Sequence, residues 1–374
     1  MILMLINAAS GRSAAAAANP EEQASALIEA LPSSDGPGVQ YVMLDKDRVL
    51  FQKNAGLAEI KGNAPMTDET VMAAFSMTKT ITAIAVLQLC DAGNLALDDR
   101  VAKYVKHPYH KDLTIRQLLT HTGGVPNPIP LRWVHLADKD GSFRESAARE
   151  EVLRKHAGSS SRPGERYEYS NIGYWLLGSV VEAASGQDYR TYVTEHLFRP
   201  LGLRSDEIGF CASATGRRAK GYLSRYSFLN LVKGFLTDEE VWGGKEGSWL
   251  HVKDVCVNGP SFGGTFGTAR AFGRLLQDLL SDRSLLLGTT GKELLFTQQR
   301  TASGSPIAMT LGWHIGELDG ARYFFKEGGG AGFHCEMRIY PTAGLASVIM
   351  TNRTSFNTRK RLTEVDAVFL RLRR

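Results

Sequence analysis

The spacing of apolar residues along this chain changes twice, from a period of about two residues to one of about 3.6 and back again. After a short helical stretch, Glu21–Leu31, the segments Val39–Leu44 and Val49–Gln52 flank Asp45-Lys46-Asp47, which predicts a hairpin of an antiparallel sheet. From Met77 to Ala92 the period is helical, and Gly93-Asn94 stops it. Helices are also predicted at Ile115–Leu119, Tyr174–Ala184, Tyr189–Leu197 and Ala269–Leu280. Strands return at Leu311–Ile315, Arg322–Phe325, Phe333–Tyr340 and Leu345–Met350, before a closing helix with Leu362, Val365, Val368, Phe369 and Leu372 at helical spacing.

Strands at both ends and helices between them predict an α/β protein of the α+β type. Residues 20–75 and 300–374 would build one antiparallel sheet flanked by helices, residues 76–299 a large, mainly helical inserted domain, with the active site at the junction. Residues 1–19 read as an arm: Met1–Ile6 is apolar and Ala14–Ala18 offers small residues for cleavage, but no basic residue precedes the apolar run. A retained arm implies a cytoplasmic protein, a cleaved one a periplasmic or secreted protein. No apolar run approaches the length of a membrane span.

Composition changes this picture little. With 43% hydrophobic and 22% charged residues, the 374-residue chain has ordinary globular usage. Its net charge of +5 is most concentrated at Arg359, Lys360, Arg361, Arg371, Arg373 and Arg374. The apolar residues running through that stretch make it the solvated face of a docking helix rather than a nucleic-acid platform. Cys90, Cys211, Cys256 and Cys335 are far apart with no Cys-x-x-Cys pair, and are expected to be buried free thiols. His107 and His110 flank Pro108, which breaks the helix that would align them on a metal. No metal or cofactor is expected, and the oligomeric state is left open.

The candidate chemistry begins at Ser76-Met77-Thr78-Lys79, where three-residue spacing at a helix start puts a hydroxyl and an amine on one face. Alone this could be an N-capping serine beside a surface lysine. The near-continuous apolar run Ile81–Leu89 makes the helix central and Lys79 buried. Two further segments join it. Tyr169-Ser170-Asn171 sits where a loop turns into a helix, and Lys326-Glu327-Gly328-Gly329-Gly330 lies between two strands, where glycines let a substrate approach backbone N–H donors.

In these motifs, and in Leu113–Gly124, Pro163–Gly178, Leu197–Leu203 and Gly263-Gly264-Thr265, the chain resembles the penicillin-recognising serine hydrolases, the superfamily of class C β-lactamases, D,D-carboxypeptidases and β-lactamase-like carboxylesterases. The resemblance runs from about residue 36 to 350. It implies Ser76 as the acylated nucleophile, Lys79 as its general base, Tyr169 as proton carrier and Asn171 as a substrate amide ligand. It also implies Lys326 as the lysine of the family's Lys-Thr-Gly triplet, with Gly328 beside it, and backbone N–H groups of Ser76 and Gly329 as the oxyanion hole. A lysine at its usual pKa of about 10.4 is a poor base at neutral pH, so burial or a nearby cation must lower it, and Lys326 is such a cation. The same charge is expected to favour tyrosinate at Tyr169, so the two lysines and the tyrosine form one coupled titrating unit.

Two features complicate that reading. Glu327 replaces a small polar residue and is expected to set a carboxylate beside the oxyanion strand, where it would repel a substrate carboxylate unless Lys326 or Arg338 neutralises it. Gly259-Pro260-Ser261-Phe262-Gly263 matches Gly-x-Ser-x-Gly and offers Ser261 as a rival nucleophile. Trp133, Trp242, Trp249, Phe262 and Trp313 are candidates to line the acyl pocket. The favoured function is a carboxylesterase on small to medium acyl esters with slow β-lactam opening. The alternatives are a class C-like β-lactamase or D-amino-acid peptidase, and a catalytically silent binding protein.

Overall fold

The structure, a computed structural model, describes residues 19–32, 35–129, 132–211, 217–225, 239–354 and 356–373. Most of the predicted arm lies outside these residues.

Six antiparallel strands form the main sheet: β1 (Val39–Asp45), β2 (Val49–Ala55), β3 (His314–Leu318), β4 (Ala321–Gly330), β5 (Phe333–Tyr340) and β6 (Leu345–Thr351), in the spatial order β3-β4-β5-β6-β1-β2. The two ends of the chain meet where β1 pairs with β6, Val39 opposite Thr351 and Asp45 opposite Leu345. This is the sheet expected from the sequence. β3 starts three residues later than its apolar run suggests, and β4 runs five residues further, through the glycines.

Both faces are covered, and strand alternation decides what covers each. Val42, Leu44, Phe324, Met337, Ile339, Val348 and Met350 face the core shared with the middle of the chain. Tyr41, Met43, Tyr323, Phe325, Tyr340 and Ile349 face helix α1 (Pro20–Glu29) and the closing helix. The chain between the two halves of the sheet contributes helices α2 (Thr78–Asp91), α3 (Asn171–Ser185) and α4 (Ala269–Leu280), and the closing helix is α5 (Thr358–Leu370). α2 is buried around most of its circumference, as its unbroken apolar run requires.

Two expectations need adjustment. The middle of the chain is less purely helical than its pattern implies, since short strands there build small sheets such as Gly221–Ser224, Trp249–Val252 and Trp242–Glu246. α4, assigned by sequence to the inserted part, lies on the main sheet: Ala269 N donates to Gln40 Oε1 at 2.9 Å and Gln277 Nε2 to the Asp45 carbonyl at 3.0 Å. Amphipathic helices dock wherever an apolar face is open, irrespective of chain order.

α5 docks through Leu362, Val365, Val368 and Phe369 as expected, while Leu372 lies past its end and is exposed. The same helix also buries Asp366, which accepts from Tyr41 (2.8 Å), Tyr340 (2.7 Å) and Ser347 (2.8 Å). Arg338 is buried beside it and its ion pairs go to Glu336 (2.6 Å) and Asp366 (3.8 Å), so it acts on Glu327 only at a distance, as the last of several influences that lower that carboxyl. Cys211 and Cys256 form a disulfide with Cα atoms 5.6 Å apart, whereas Cys90 and Cys335 are free. The expectation of four free thiols therefore fails for two of them, because wide sequence spacing does not limit what folding brings together. Among the described residues no helix is long and apolar enough to cross a membrane.

Candidate active site

Ser76 lies in a short 3-10 turn, Phe75–Met77, that leads into α2. Phe75 carries the chain into this turn with φ at 43°, a left-handed conformation that strains a non-glycine residue. One turn on, Lys79 is fully buried. Its Nζ stands 3.0 Å from Ser76 Oγ, 2.8 Å from Asn171 Oδ1 and 2.7 Å from the carbonyl oxygen of Phe262.

Asn171 opens α3, which Ser170 caps by accepting from Gly173 N. Asn127 fixes the amide, its Oδ1 accepting from both Asn171 N (3.0 Å) and Nδ2 (3.1 Å). That leaves the Asn171 oxygen turned toward Lys79. Ser170 N donates to His121 Nδ1 at 3.0 Å, and the His121 ring lies 4.3 Å from that of Tyr169, centre to centre. Between these contacts Tyr169 is held with its hydroxyl 2.7 Å from Ser76 Oγ.

Lys326 approaches from β4. It is buried, its Nζ has no hydrogen-bond partner, and it lies 5.3 Å from the centre of the Tyr169 ring. Beyond it Gly328 lies against the Phe75–Met77 turn: a Cβ there would collide with the Ala74 carbonyl and stand 3.0 Å from Ser76 N. Gly329 follows on the exposed edge of the strand. The structure thus brings Ser76, Lys79, Tyr169, Asn171, Lys326 and Gly328 together from three separate parts of the chain.

Burial dominates the electrostatics. It holds Lys79 well below the ordinary lysine range, and the charge of Lys326 lowers it further. Burial alone brings Lys326 down to about 7. His121 is likewise pushed well down by burial and then by the two lysines, so its imidazole is neutral. Tyr169 moves the other way: desolvation raises it above the usual tyrosine range and outweighs its bond to Ser76. The expected tyrosinate is corrected accordingly, since taking the phenolate out of water dominates its surroundings.

A neutral lysine amine has two N–H donors and one lone pair. Three oxygens surround the Lys79 amine; held neutral by burial, it can keep its two donors on Asn171 Oδ1 and the Phe262 carbonyl and turn its lone pair to the Ser76 hydroxyl. Ser76 Oγ in turn can accept from Tyr169, whose proton burial retains. The arrangement can take a proton from the serine on one side and supply one on the other.

Glu327 is not where the sequence suggested. Strand alternation turns it to the face opposite Lys326, where its Oε1 meets His334 Nε2 at 2.7 Å and its Oε2 lies 3.5 Å from Arg359 of α5. Ser261 is buried and donates to the Tyr174 carbonyl at 2.9 Å, so the rival nucleophile is occupied in packing. Of the aromatic candidates, Phe262 lies with its ring centre 5.5 Å from Lys79 Nζ and Trp133 packs against it, whereas Trp313 is fully buried in the core. Sequence reasoning missed Asn127, the positioning role of His121 and the Phe262 carbonyl. His121 was visible within Thr120-His121-Thr122-Gly123-Gly124, but a backbone carbonyl leaves no mark in residue identity.

The Beta-lactamase family profile matches residues 24–369, and the chain belongs to that family, within the superfamily of serine β-lactamases and penicillin-binding proteins. Among individual relatives, Protein flp of Staphylococcus aureus (strain MW2) is 29% identical over 193 residues, 49% of this chain but only 37% of that relative. The penicillin-binding protein of Bacillus halodurans superposes with a TM-score of 0.68 at 25% identity, covering 89% of this chain and 95% of that one. The D-amino acid amidase of Ochrobactrum anthropi SV3, solved with L-phenylalanine amide, gives 0.75 at 17% identity over 95% of this chain and 100% of that one, a likeness of fold.

Proposed function

We propose that the protein hydrolyses small to medium carboxylic esters through an acyl-enzyme on Ser76. The observation that carries this is the placement of the Lys79 amine, buried beside Lys326 and 3.0 Å from Ser76 Oγ, where burial favours its neutral form and its lone pair can reach the serine hydroxyl. Lys79 would take the serine proton as Oγ attacks the ester carbonyl. The N–H groups of Ser76 and Gly329 would receive the developing oxyanion, and Tyr169 would deliver a proton to the departing alkoxide. Water then attacks the acyl-enzyme with the same groups in reversed roles, releasing the acid and restoring Ser76.

The position of Glu327 supports an ester over a substrate with a free amino group, because the carboxylate that could have bound the ammonium faces away and is paired with His334 and Arg359. It also lifts the electrostatic objection to a substrate carboxylate. A second reading, β-lactam opening, is favoured by Lys326, whose buried amine has no partner and could take such a carboxylate. Gly329 and Gly330 offer no hydroxyl to help it, so lactam turnover should be slow. Ranking p-nitrophenyl esters, nitrocefin and D-alanyl amides by kcat/KM tests the assignment. Esters should lead, and amides leading would overturn it.

A further inference from the structure

β4 extends past the end of its neighbour β3. The last β3 contact is His314 opposite Phe325, so Lys326 to Gly330 is hydrogen-bonded on one side only, to β5. Three consecutive glycines in a half-supported strand bring high conformational freedom and no side chains to pack. Gly328 and Gly330 are nonetheless confined by their neighbours, the first by the Ala74 carbonyl and Ser76 N, the second by the Phe75 ring. Gly329, the expected oxyanion donor, has a different neighbour. Its cross-strand partner is His334, and a Cβ on Gly329 would stand 3.2 Å from His334 Cδ2.

The His334 ring is itself anchored. Glu327, two residues before Gly329 and on the same face of β4, accepts from His334 Nε2 at 2.7 Å. Arg359 of α5 approaches the other Glu327 oxygen at 3.5 Å. The side-chain bridge therefore runs from Glu327 diagonally across to β5 and returns over Gly329, enclosing the flexible stretch between two fixed points.

We propose that Glu327 and His334 are a positioning pair for the reaction, holding the Gly329 N–H at the angle and depth needed to receive the oxyanion. Neither touches the substrate. The proposal rests on the reading of Gly329 as an oxyanion donor for acylation at Ser76. It gives Glu327 a role that its place in the sequence beside Lys326 concealed: the carboxylate stiffens the strand from behind instead of meeting the substrate.

The test compares His334→Ala, Glu327→Ala, the double variant and His334→Gln with wild type on a p-nitrophenyl ester, with thermal unfolding to verify folding. Each alanine variant should lower kcat by about tenfold to a hundredfold, the scale of a small misplacement of a catalytic group, while KM shifts by less than about threefold. The double variant should be no worse than the poorer single one, because the two residues act as a unit. His334→Gln, which can still donate to Glu327, should recover most of the loss. Affinity for an arylboronic acid, whose tetrahedral serine adduct presents an oxygen to the same donors, should fall in step with kcat/KM. Unchanged kcat, a change confined to KM, multiplicative losses, or full boronate affinity in slow variants would each overturn the pair. Labelling of the wild type by a fluorophosphonate separates the two levels: a labelled, active wild type with unaffected variants refutes the pair alone, and an unlabelled wild type removes the Ser76 reading together with it.

Discussion

The amine of Lys79 lies 2.7 Å from the carbonyl oxygen of Phe262. That bond ties the buried base to the Gly259–Gly263 segment whose sequence advertises a rival nucleophile. The segment's serine is turned into the core, its hydroxyl on the Tyr174 carbonyl and its own carbonyl accepting from Thr82 at 2.6 Å. What looks like a second active site in the sequence is, in space, one of the two acceptors that orient the amine of the first.

Substitution at the two serines should therefore separate cleanly. Ser76→Ala should lose at least about a thousandfold in kcat/KM and all fluorophosphonate labelling, while Ser261→Ala should still be labelled. Tyr169→Phe, which removes the proton donor and leaves the nucleophile, should retain slow labelling and lose about a hundredfold or more in turnover. Labelling that persisted in Ser76→Ala would sink the assignment.

The pH dependence follows from the lysines. In the proposed mechanism neutral Lys79 is the active form, and its affinity for a proton is depressed by burial and by the charge of Lys326. The acid limb of kcat/KM should accordingly lie far below the ordinary lysine range of about 10.4. Removing that neighbouring charge in Lys326→Met should raise the Lys79 pKa and carry the acid limb to higher pH. A limb that stayed in place would show that burial alone tunes the base.

The same lysine should cost stability. Burial lowers Lys326 to about 7 in the folded protein, so between about pH 7 and 10.4 the unfolded chain binds the extra proton and stability rises with pH. Below about 7 both states are protonated and the full penalty of burying an unpaired ammonium remains. Lys326→Met should stabilise the fold by roughly 1–4 kcal/mol at neutral pH, read from urea unfolding. Lys79→Met should gain less, because it strands the Asn171 and Phe262 oxygens that the amine now satisfies.

Gly328→Ala tests the contact between β4 and the nucleophile turn. A methyl group there would meet the Ala74 carbonyl and Ser76 N, so the turn or the strand must shift. Acylation should slow by about a hundredfold in single-turnover measurements, the scale expected when a reacting group is displaced.

The disulfide predicts a thiol count. Denatured without reductant, the protein should release two titratable thiols, those of Cys90 and Cys335, and four after reduction. Because the bond joins residues 45 apart in sequence, its loss should lower stability by up to about 4 kcal/mol on the chain-entropy estimate.

The sequence alone was enough for the sheet, the central helix and the choice of residues that the fold then brings together. Val39–Leu44 and Leu345–Met350 are short apolar runs bounded by turn residues, which read as strands, and Ser76-Lys79 gains its meaning from Tyr169 and Lys326, all of which are explicit in residue type and spacing. Tertiary structure decided which way those groups face and what surrounds them. Glu327 stands next to Lys326 in the chain yet on the other side of the sheet, because successive residues of a strand point to opposite faces and only the completed sheet says which face is the site. Asp366 reads as an ordinary polar residue of an amphipathic helix until Tyr41, Tyr340 and Ser347 close over it from strands far away in sequence. The nucleophile's surroundings follow the same logic. The sequence names a serine and a lysine, but a lysine becomes a base only when its environment withholds water and leaves its lone pair facing the hydroxyl. That environment is assembled from Asn171, a Phe262 carbonyl and Lys326, segments that meet only in the folded chain.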